Sequence, residues 1–354
     1  MSNKHLIMTI SYNDFYKQVF DSLLIKNGYN TISYTDVKQI PDTLFMTIPD
    51  LILIVAENNA ASTCRAVRSN SDVGRIPIII LSESNDRLDR TESFGAGCYD
   101  YVCLPFDEAE ILARISIHLE NRRMLGWLRD RITEQTKELT EAQMETIIAM
   151  AELAESRDSH VTFHLDRIRR YCSVLSMKLS ESEQFRHMIN QEFIDTIFQA
   201  SALHDIGKIG VRERILNKCG KLTKEEFEII ASHTTKGSMA LESVIEKYPN
   251  NSFTRMSIEI IKFHHERWNG KGYPIGLAGE TIPLSARIMA LSDVYDAVRS
   301  KRAYKEAKTH EESVEEILKM KGFHLDPRIV TAFFEIQHEY EKIFKQFQEA
   351  NRFG

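Results

Sequence analysis

The chain has 354 residues, of which 43% are hydrophobic and 27% are charged, and its formal net charge is −6. This length predicts about two domains, and the composition predicts buried cores rather than a disordered chain. A net negative charge argues against indiscriminate nucleic-acid binding, so any phosphate has to be recognised by a local group of basic residues.

The cysteines and the apolar segments indicate a cellular location. Five cysteines are scattered along the chain without a C-x-x-C pair, as is typical of reduced thiols in a cytoplasmic protein. No stretch approaches the roughly 18 apolar residues that a membrane span requires. We therefore expect a soluble, cytoplasmic protein that binds neither membranes nor DNA.

The first 120 residues alternate between short apolar runs and amphipathic segments. Strands are predicted over residues 6–10, 31–34, 51–55, 76–81 and 99–103, and helices over 14–27, 62–69 and 87–94. Such alternation predicts a doubly wound, flavodoxin-like α/β domain, in which helices cover both faces of a parallel sheet. A dinucleotide-binding fold is the competing interpretation, but no G-x-G-x-x-G motif follows the first strand.

Three segments of this domain resemble a response-regulator receiver: Pro49 to Ile54, Ile76 to Ser82 and Gly95 to Tyr101. Leu104-Pro105-Phe106 follows where that family has Lys-Pro-Phe, so the active-site lysine is replaced by Leu104 and only Ser82 keeps its receiver-like character.

The carboxylates of receiver chemistry are also replaced. Thr9, Ile10 and Ser11 stand where receivers carry acidic residues, and Val55 stands at the phospho-accepting aspartate. Without these carboxylates the domain can neither hold magnesium nor accept a phosphoryl group. We expect a degenerate receiver that serves as a dimerisation or partner surface; Glu57 is close to the phospho-site in register but should face elsewhere.

A long helix is predicted from Glu108 to about Ser156, because no proline occurs there and Gly126 is the only glycine. Apolar residues recur at spacings of three and four: Ile111, Leu112, Ile115, Leu119, Leu125, Leu128, Ile132, Leu139, Met144, Ile147 and Ile148. The pattern predicts a helical linker over residues 121–148, and a parallel coiled coil between two chains would bury the apolar stripe. A single helix that packs on its own domain is the alternative, but a polar helix of this length is hard to stabilise alone.

Residues 149–354 have helical periodicity throughout. Helices are predicted over residues 164–179, 191–206, 224–232, 237–247, 254–264, 284–299, 309–319 and from 326 to the C-terminus. This segment is expected to be an all-α domain.

Five histidines and two aspartates of this domain form a candidate metal site: His164, His204, Asp205, His233, His264, His265 and Asp293. Imidazoles and carboxylates in this proportion suggest transition metals, and the set is too large for one ion but suits two. Asp293 lies in the apolar run from Ile288 to Val294, where a carboxylate is costly unless it is paired or metal-bound. Taken singly, His164, His233 and Asp293 are each more typical of a hydrogen-bonded polar residue than of a metal ligand.

The motif H-D-x-G-K occurs as His204-Asp205-Ile206-Gly207-Lys208. A carboxylate flanked by metal-bound imidazoles can bridge two cations. Lys208 follows His204 by four residues, which predicts a shared helix face and a cation for a phosphate oxygen. Asp205 and Lys208 are therefore the catalytic candidates.

Four motifs together resemble the HD-GYP phosphodiesterase family: His204 to Lys208, His264 to Pro274, Ile282 to Ile288 and Asp293 to Ala297. The resemblance covers about residues 149–350. It implies an HD-type, metal-dependent bacterial phosphohydrolase domain that hydrolyses cyclic di-GMP to pGpG, GMP or both through a hydroxide bridging two metal ions.

Carried over by position, the resemblance implies one ion at His164, His204, Asp205 and Asp293 and a second at Asp205, His233, His264 and His265. Iron or manganese is favoured, because the ligands combine imidazole and carboxylate without a thiolate. Some members of the family bind a third metal through a glutamate four residues before the first histidine. His160 stands at that position, so a third ion and the final product stay open.

The resemblance further implies substrate contacts at Lys208, Tyr273, Arg287, Asp296, Arg302 and Lys305. Arg302 and Lys305 match phosphate-binding residues, although their basic segment could equally be a solvated loop. Tyr273 follows Gly270 and Gly272 in a tight loop, and would stack on a guanine or shape the edge of the pocket.

Two other functions use the same residues. One is a catalytically weak sensor that binds the dinucleotide and signals through the linker, and the other is a phosphodiesterase for another cyclic dinucleotide. The expected partners are cyclic di-GMP, a second copy of the chain through the linker and receiver, and signalling proteins such as a diguanylate cyclase.

Overall fold

A computed structural model describes residues 5–40, 48–56, 60–69, 75–84, 86–156, 163–218, 220–300 and 307–353. The chain divides into two compact units, Met1–Glu138 and Leu139–Gly354. No helix in these ranges is both long enough and apolar enough to cross a membrane.

The described part of the N-terminal unit contains a five-stranded parallel sheet. Its strands are β1 (Leu6–Ser11), β2 (Asn30–Tyr34), β3 (Leu51–Ala56), β4 (Ile78–Ser82) and β5 (Asp100–Cys103). The strand order is β2-β1-β3-β4-β5, which is the flavodoxin-like order found in receivers. The predicted doubly wound domain is therefore confirmed.

Helices cover both faces of this sheet. They are α1 (Asp14–Lys26), α2 (Ala60–Arg68) and α3 (Arg87–Gly95). Alternate residues of a strand point to opposite faces. On β3, Leu51 and Leu53 accordingly pack in a cluster with α1, whereas Ile52 and Ile54 pack in a cluster with α2.

The residues at the receiver phospho-site are apolar or hydroxylic in the structure. Val55 is buried in the core at the end of β3, and Leu104 packs against the same core cluster. Thr9 and Ser82 are buried hydroxyl groups. None of these positions carries a carboxylate; Glu57 lies outside the described residues.

The long predicted helix is confirmed as α4 (Glu108–Glu155). Its first turns place Ile111 and Ile115 in the core of the N-terminal unit. Its last turns bury Ile148 and Ala151 in the C-terminal unit. The turns between them are largely exposed, so the coiled-coil stripe has no covering partner within the described chain.

The C-terminal unit is helical, as predicted. Its helices are α5 (His164–Ser180), α6 (Gln191–Ala200), α7 (Glu213–Leu216), α8 (Lys224–Lys247), α9 (Ser252–Phe263), α10 (Leu284–Arg299), α11 (His310–Lys319) and α12 (Pro327–Phe353). Its main core joins α5, α6 and α9–α12 through the buried rings of Tyr171, Tyr295 and Tyr340. The Tyr171 and Tyr340 rings stack with their centroids 4.4 Å apart.

Two helix predictions in this unit are wrong. The segments 224–232 and 237–247 form the single helix α8, because Gly237 lies inside the helix where it meets another part of the backbone. The helix expected over 191–206 ends at Ala200, and the chain continues in short 3-10 turns over Ser201–Leu203 and Ile206–Gly210.

Candidate metal centre

The H-D-x-G-K motif begins between the two 3-10 turns that follow α6 and continues into the second of them, where Gly207 packs against α8. Gly207 makes this approach possible, because a Cβ atom there would collide with the carbonyl oxygen of His233 and the backbone nitrogen of Gly237. The close packing of these backbones places Asp205 beside His233. The glycine of the motif is therefore required for close packing of Gly207 against α8.

The carboxylate of Asp205 faces two groups of histidines. Oδ1 lies 3.2 Å from Nε2 of His233 and 3.9 Å from Nε2 of His264. Oδ2 lies 3.2 Å from Nε2 of His204. Each oxygen therefore faces a different candidate site, which is the arrangement that a bridging carboxylate requires.

One candidate site consists of Asp205, His233, His264 and His265, with ligand atoms that all lie within 4.8 Å of one another. Nδ1 of His233 donates a hydrogen bond to the carbonyl oxygen of Ile230 at 2.7 Å. Nδ1 of His264 donates in the same way to the carbonyl oxygen of Ile260 at 2.8 Å. Because the carbonyls accept these protons, Nε2 of each ring is left to bind a cation.

The second candidate site lies around His164 and His204. Nδ1 of His204 donates to the carbonyl oxygen of Ser201 at 3.0 Å. Nε2 of His164 lies 3.9 Å from Oδ1 of Asp293 and 3.5 Å from Oε1 of Glu155. The structure thus brings His164, His204, Asp205 and Asp293 together, and it adds Glu155.

Several buried atoms of these residues lack a hydrogen-bond partner among the described residues. They are Nε2 of His204, His233 and His264 and Oδ1 of Asp205. A buried polar atom without a partner costs free energy, and these four atoms converge on one place. Divalent metal ions would satisfy them, so these residues fit a metal centre.

The pKa values of His264 and His204, one from each group of imidazoles, are shifted in opposite directions. Burial and the neighbouring His204 lower the pKa of His264 to about 4, so that its ring is neutral at pH 7. Burial also acts to lower the pKa of His204, but the carboxylate of Asp205 outweighs it and raises that pKa to about 9. Cation binding at His204 would therefore release a proton.

The prediction that Lys208 and His204 share a helix face is wrong, because the α-helix ends at Ala200, before both residues. Nζ of Lys208 instead lies 2.7 Å from Oδ2 of Asp205. Burial alone would raise the pKa of Asp205, but Lys208 and His204 together hold it well below the usual value. Asp205 is therefore ionised, as a bridging ligand must be.

Arg287 and Asp296 have partners other than the expected substrate. Nη1 of Arg287 is 2.7 Å from Oδ2 of Asp326, and both side chains are buried. Asp296 is also buried, and it accepts hydrogen bonds from Arg167 and from Nδ1 of His164. The sequence motifs had marked both residues as substrate contacts. In the structure, Arg287 forms a buried ion pair with Asp326, and Asp296 forms one with Arg167.

The loop after His265 forms a wall beside the centre. The buried carboxylate of Glu266 accepts hydrogen bonds from the backbone N–H groups of Ile275 and Gly276. Gly272 lies so close to the backbone of Glu266 that any Cβ atom would collide with it. These contacts fix a tight loop.

This loop places an aromatic ring over a candidate ligand. The Tyr273 ring lies over His265, with centroids 4.8 Å apart, and the edge of Phe227 approaches it at 5.6 Å. Burial, with Asp205 and Asp293 nearby, raises the pKa of the Tyr273 hydroxyl, which therefore stays protonated.

Sequence reasoning missed two side chains of this region. Glu155 had been counted only as part of the long predicted helix, and Phe227 only as part of the helix predicted over 224–232. A carboxylate nine residues before His164 is only weak evidence for a metal ligand, because its position in space depends on where α4 ends. His160, Arg302 and Lys305 lie outside the described residues.

Comparison with known proteins is consistent with this geometry. The family model described as HD domain matches residues 145–329, and the chain belongs to this family. Its members are metal-dependent phosphohydrolases, so the predicted enzyme class is confirmed.

Several relatives have curated names. The chain is 36% identical over 312 residues to a probable cyclic di-GMP phosphodiesterase of Vibrio cholerae, a match that covers 85% of this chain and 70% of that protein. It is 34% identical over 284 residues to the cyclic di-GMP phosphodiesterase response regulator RpfG of Xanthomonas campestris, covering 78% and 71%. It is also 35% identical over 205 residues to 3'3'-cGAMP-specific phosphodiesterase 2 of Vibrio cholerae, covering 57% and 36%.

Proposed function

We propose that this chain is a cytoplasmic cyclic di-GMP phosphodiesterase. It combines a degenerate receiver (residues 1–120), a helical linker (121–148) and an HD-type catalytic domain (149–354). The observation that carries the proposal is the position of Asp205, whose two oxygens face two groups of imidazoles with unpaired Nε2 atoms.

The protein's own residues hold and orient the reacting groups. Asp205 would hold both ions, together with His164, His204 and Asp293 on one side and His233, His264 and His265 on the other. Two bound ions, iron or manganese, would supply Lewis acidity to the phosphodiester and lower the pKa of water. Lys208 beside Asp205 provides a positive charge for a phosphate oxygen.

Recognition of the bases is assigned to the aromatic wall. The ring of Tyr273 is half-buried and the ring of Phe227 is exposed, so both can present apolar surface to a purine. Arg302 and Lys305 would add contacts to phosphate. Cyclic di-GMP is the favoured substrate because relatives that match most of this chain carry that name.

A second substrate follows from a different relative. The match to a 3'3'-cGAMP-specific phosphodiesterase covers 57% of this chain. That ligand also has two phosphodiesters and two purines, so the same metal centre could act on it. Direct competition between the two dinucleotides would separate these functions.

Turnover by the full chain tests the proposal. Purified protein reconstituted with Fe²⁺ or Mn²⁺ should convert cyclic di-GMP to pGpG or GMP, resolved by chromatography, and Asp205→Ala should lose both metal and turnover. Binding of cyclic di-GMP without product under both metals would contradict the enzyme and favour the sensor.

We also propose a homodimer through α4. Leu125, Leu128, Ile132 and Leu139 are all exposed and follow heptad spacing along one stripe. A second copy of the same helix, in parallel, would cover this stripe. Sedimentation equilibrium of the full chain should give twice the mass of 40.9 kDa, and a monomer at micromolar concentration would contradict the dimer.

A further inference from the structure

Glu155 is the last residue of α4, and it reaches the metal centre. Its side chain is 13% exposed, and Oε1 lies 3.5 Å from Nε2 of His164. One oxygen of Glu155 and one ring nitrogen each of His164 and His204 all lie within 4.8 Å of one another. The end of the linker helix therefore delivers a carboxylate to the site around His164.

The chemistry of this group points to a cation. A carboxylate that is removed from water needs a hydrogen-bonded or charged partner. Among the described residues, the ionisable group of opposite type within 4.0 Å of Glu155 is the imidazole of His164, whose Nε2 is itself a candidate metal ligand. Imidazole and carboxylate ligands are the combination that iron(II) and manganese(II) accept, and Glu155 adds a carboxylate to those of Asp205 and Asp293 at this site.

We propose that Glu155 is a ligand of the cation held by His164 and His204, so that metal binding fixes the last turn of α4 at the centre. This inference rests on the metal centre of the proposed function. It adds a ligand from outside the HD motifs, because Glu155 belongs to the helix that begins at Glu108 in the N-terminal unit.

A link between metal binding and the end of α4 follows. If the cation binds Glu155, then metal occupancy and the order of this last turn must reinforce each other, since such coupling is reciprocal. Any event that unwinds the end of α4 would then weaken one of the two metal sites. Folding or unwinding of the last turn of α4 would therefore change how much metal the centre binds.

Metal titration of the full-length protein tests this role without substrate. Mn²⁺ binding is measured by calorimetry and by electron paramagnetic resonance for wild type, Glu155→Gln and Glu152→Gln. Glu152 is an exposed carboxylate on the same turn of α4 and serves as the matched control. We expect two ions in wild type and in Glu152→Gln, and in Glu155→Gln a loss of at least about 10-fold in affinity for one ion only.

Hydrogen exchange gives a second readout that does not depend on activity. Mn²⁺ should protect the backbone amides of residues 149–155 in wild type and in Glu152→Gln, but not in Glu155→Gln. If Glu155→Gln does not fold, Glu155→Asp replaces it, because the shorter side chain withdraws the carboxylate while keeping its charge.

Two outcomes would overturn the role of Glu155. One is equal affinity for both ions in wild type and in the Glu155 variants, and the other is equal metal-dependent protection of residues 149–155. Absence of any bound Mn²⁺ in wild type would instead contradict the metal centre itself and with it the proposed function. Failure of turnover with normal metal binding would leave the Glu155 assignment standing.

Discussion

Oδ2 of Asp296 accepts a hydrogen bond from Nδ1 of His164 at 2.7 Å. The other oxygen, Oδ1, accepts one from Nε of Arg167 at 2.7 Å. Arg167 therefore holds the carboxylate, and the carboxylate holds the imidazole with Nε2 turned towards Asp293 and Glu155. Carboxylates that bind the far nitrogen of a metal-ligating histidine fix its tautomer and its orientation.

Replacement of Asp296 should weaken metal binding although Asp296 is not expected to touch the ion. In Asp296→Asn, an amide cannot accept from both His164 and Arg167, and the buried guanidinium loses its counter-charge. We expect the affinity for one metal ion to fall about 10- to 100-fold, as measured by Mn²⁺ titration. Asp166→Asn, at a partly exposed position of the helix α5 that carries His164 and Arg167, should bind metal as wild type does. Normal affinity in Asp296→Asn would refute this orienting role.

A methyl group at Gly207 should separate the motif from α8. The added Cβ of Gly207→Ala would collide with the carbonyl oxygen of His233, which belongs to a helix and cannot easily move. We expect a loss of about 1–3 kcal/mol in the free energy of unfolding, measured by chemical denaturation, together with weaker metal binding. Gly210→Ala is the control, because its Cβ would meet only the flexible side chain of Lys236; equal effects of the two changes would contradict the packing argument.

The sequence predicted elements better than it predicted contacts. Regular apolar periodicity marked α4 and the flavodoxin-like sheet, because side chains in a helix or strand repeat their direction at a fixed interval. Gly237 was predicted to begin a second helix, but it lies inside α8, where it makes a close contact with Gly207. No local pattern distinguishes these two uses of glycine.

Some of the candidate ligands could be found from short motifs. His204 and Asp205 are neighbours in the sequence, and so are His264 and His265. Asp296 and Arg287 stood in the same motifs, but their buried partners Arg167 and Asp326 lie 129 and 39 residues away. Glu155 could not be assigned, because its proximity to His164 depends on tertiary packing.

Loss of the Tyr273 ring should weaken substrate binding and leave metal binding unchanged. In Tyr273→Ala the wall over His265 is removed, and stacking on a base is worth about 1–3 kcal/mol. We expect KM for cyclic di-GMP to rise about 10-fold or more while metal content is unchanged, measured by steady-state kinetics with elemental analysis. Tyr273→Phe keeps the ring and should stay near wild type; an unchanged KM in Tyr273→Ala would exclude the loop from base recognition.

Acid should destabilise the helical unit through a histidine outside the metal centre. His310 is buried with Nδ1 2.9 Å from the hydroxyl of Tyr295. Burial lowers its pKa, although the carboxylates of Glu341 and Glu311 act in the opposite direction. The unfolded chain therefore binds the proton more readily than the folded one, and stability must fall as the pH drops below about 6.5.

Denaturation between pH 7 and pH 5 measures this effect. The part due to His310 should reach at most about 1.4 kcal/mol per pH unit and should be missing in His310→Gln. His338→Gln, at an exposed position of α12, should follow wild type. The same pH slope in all three proteins would show that His310 titrates normally in the folded state.

Anomalous scattering from crystals grown with Mn²⁺ tests the bridging role of Asp205 most directly. We expect two peaks, one on each side of the Asp205 carboxylate, with His233, His264 and His265 around one and His164 and His204 around the other. A single peak, or two peaks that do not share Asp205, would contradict this bridging role.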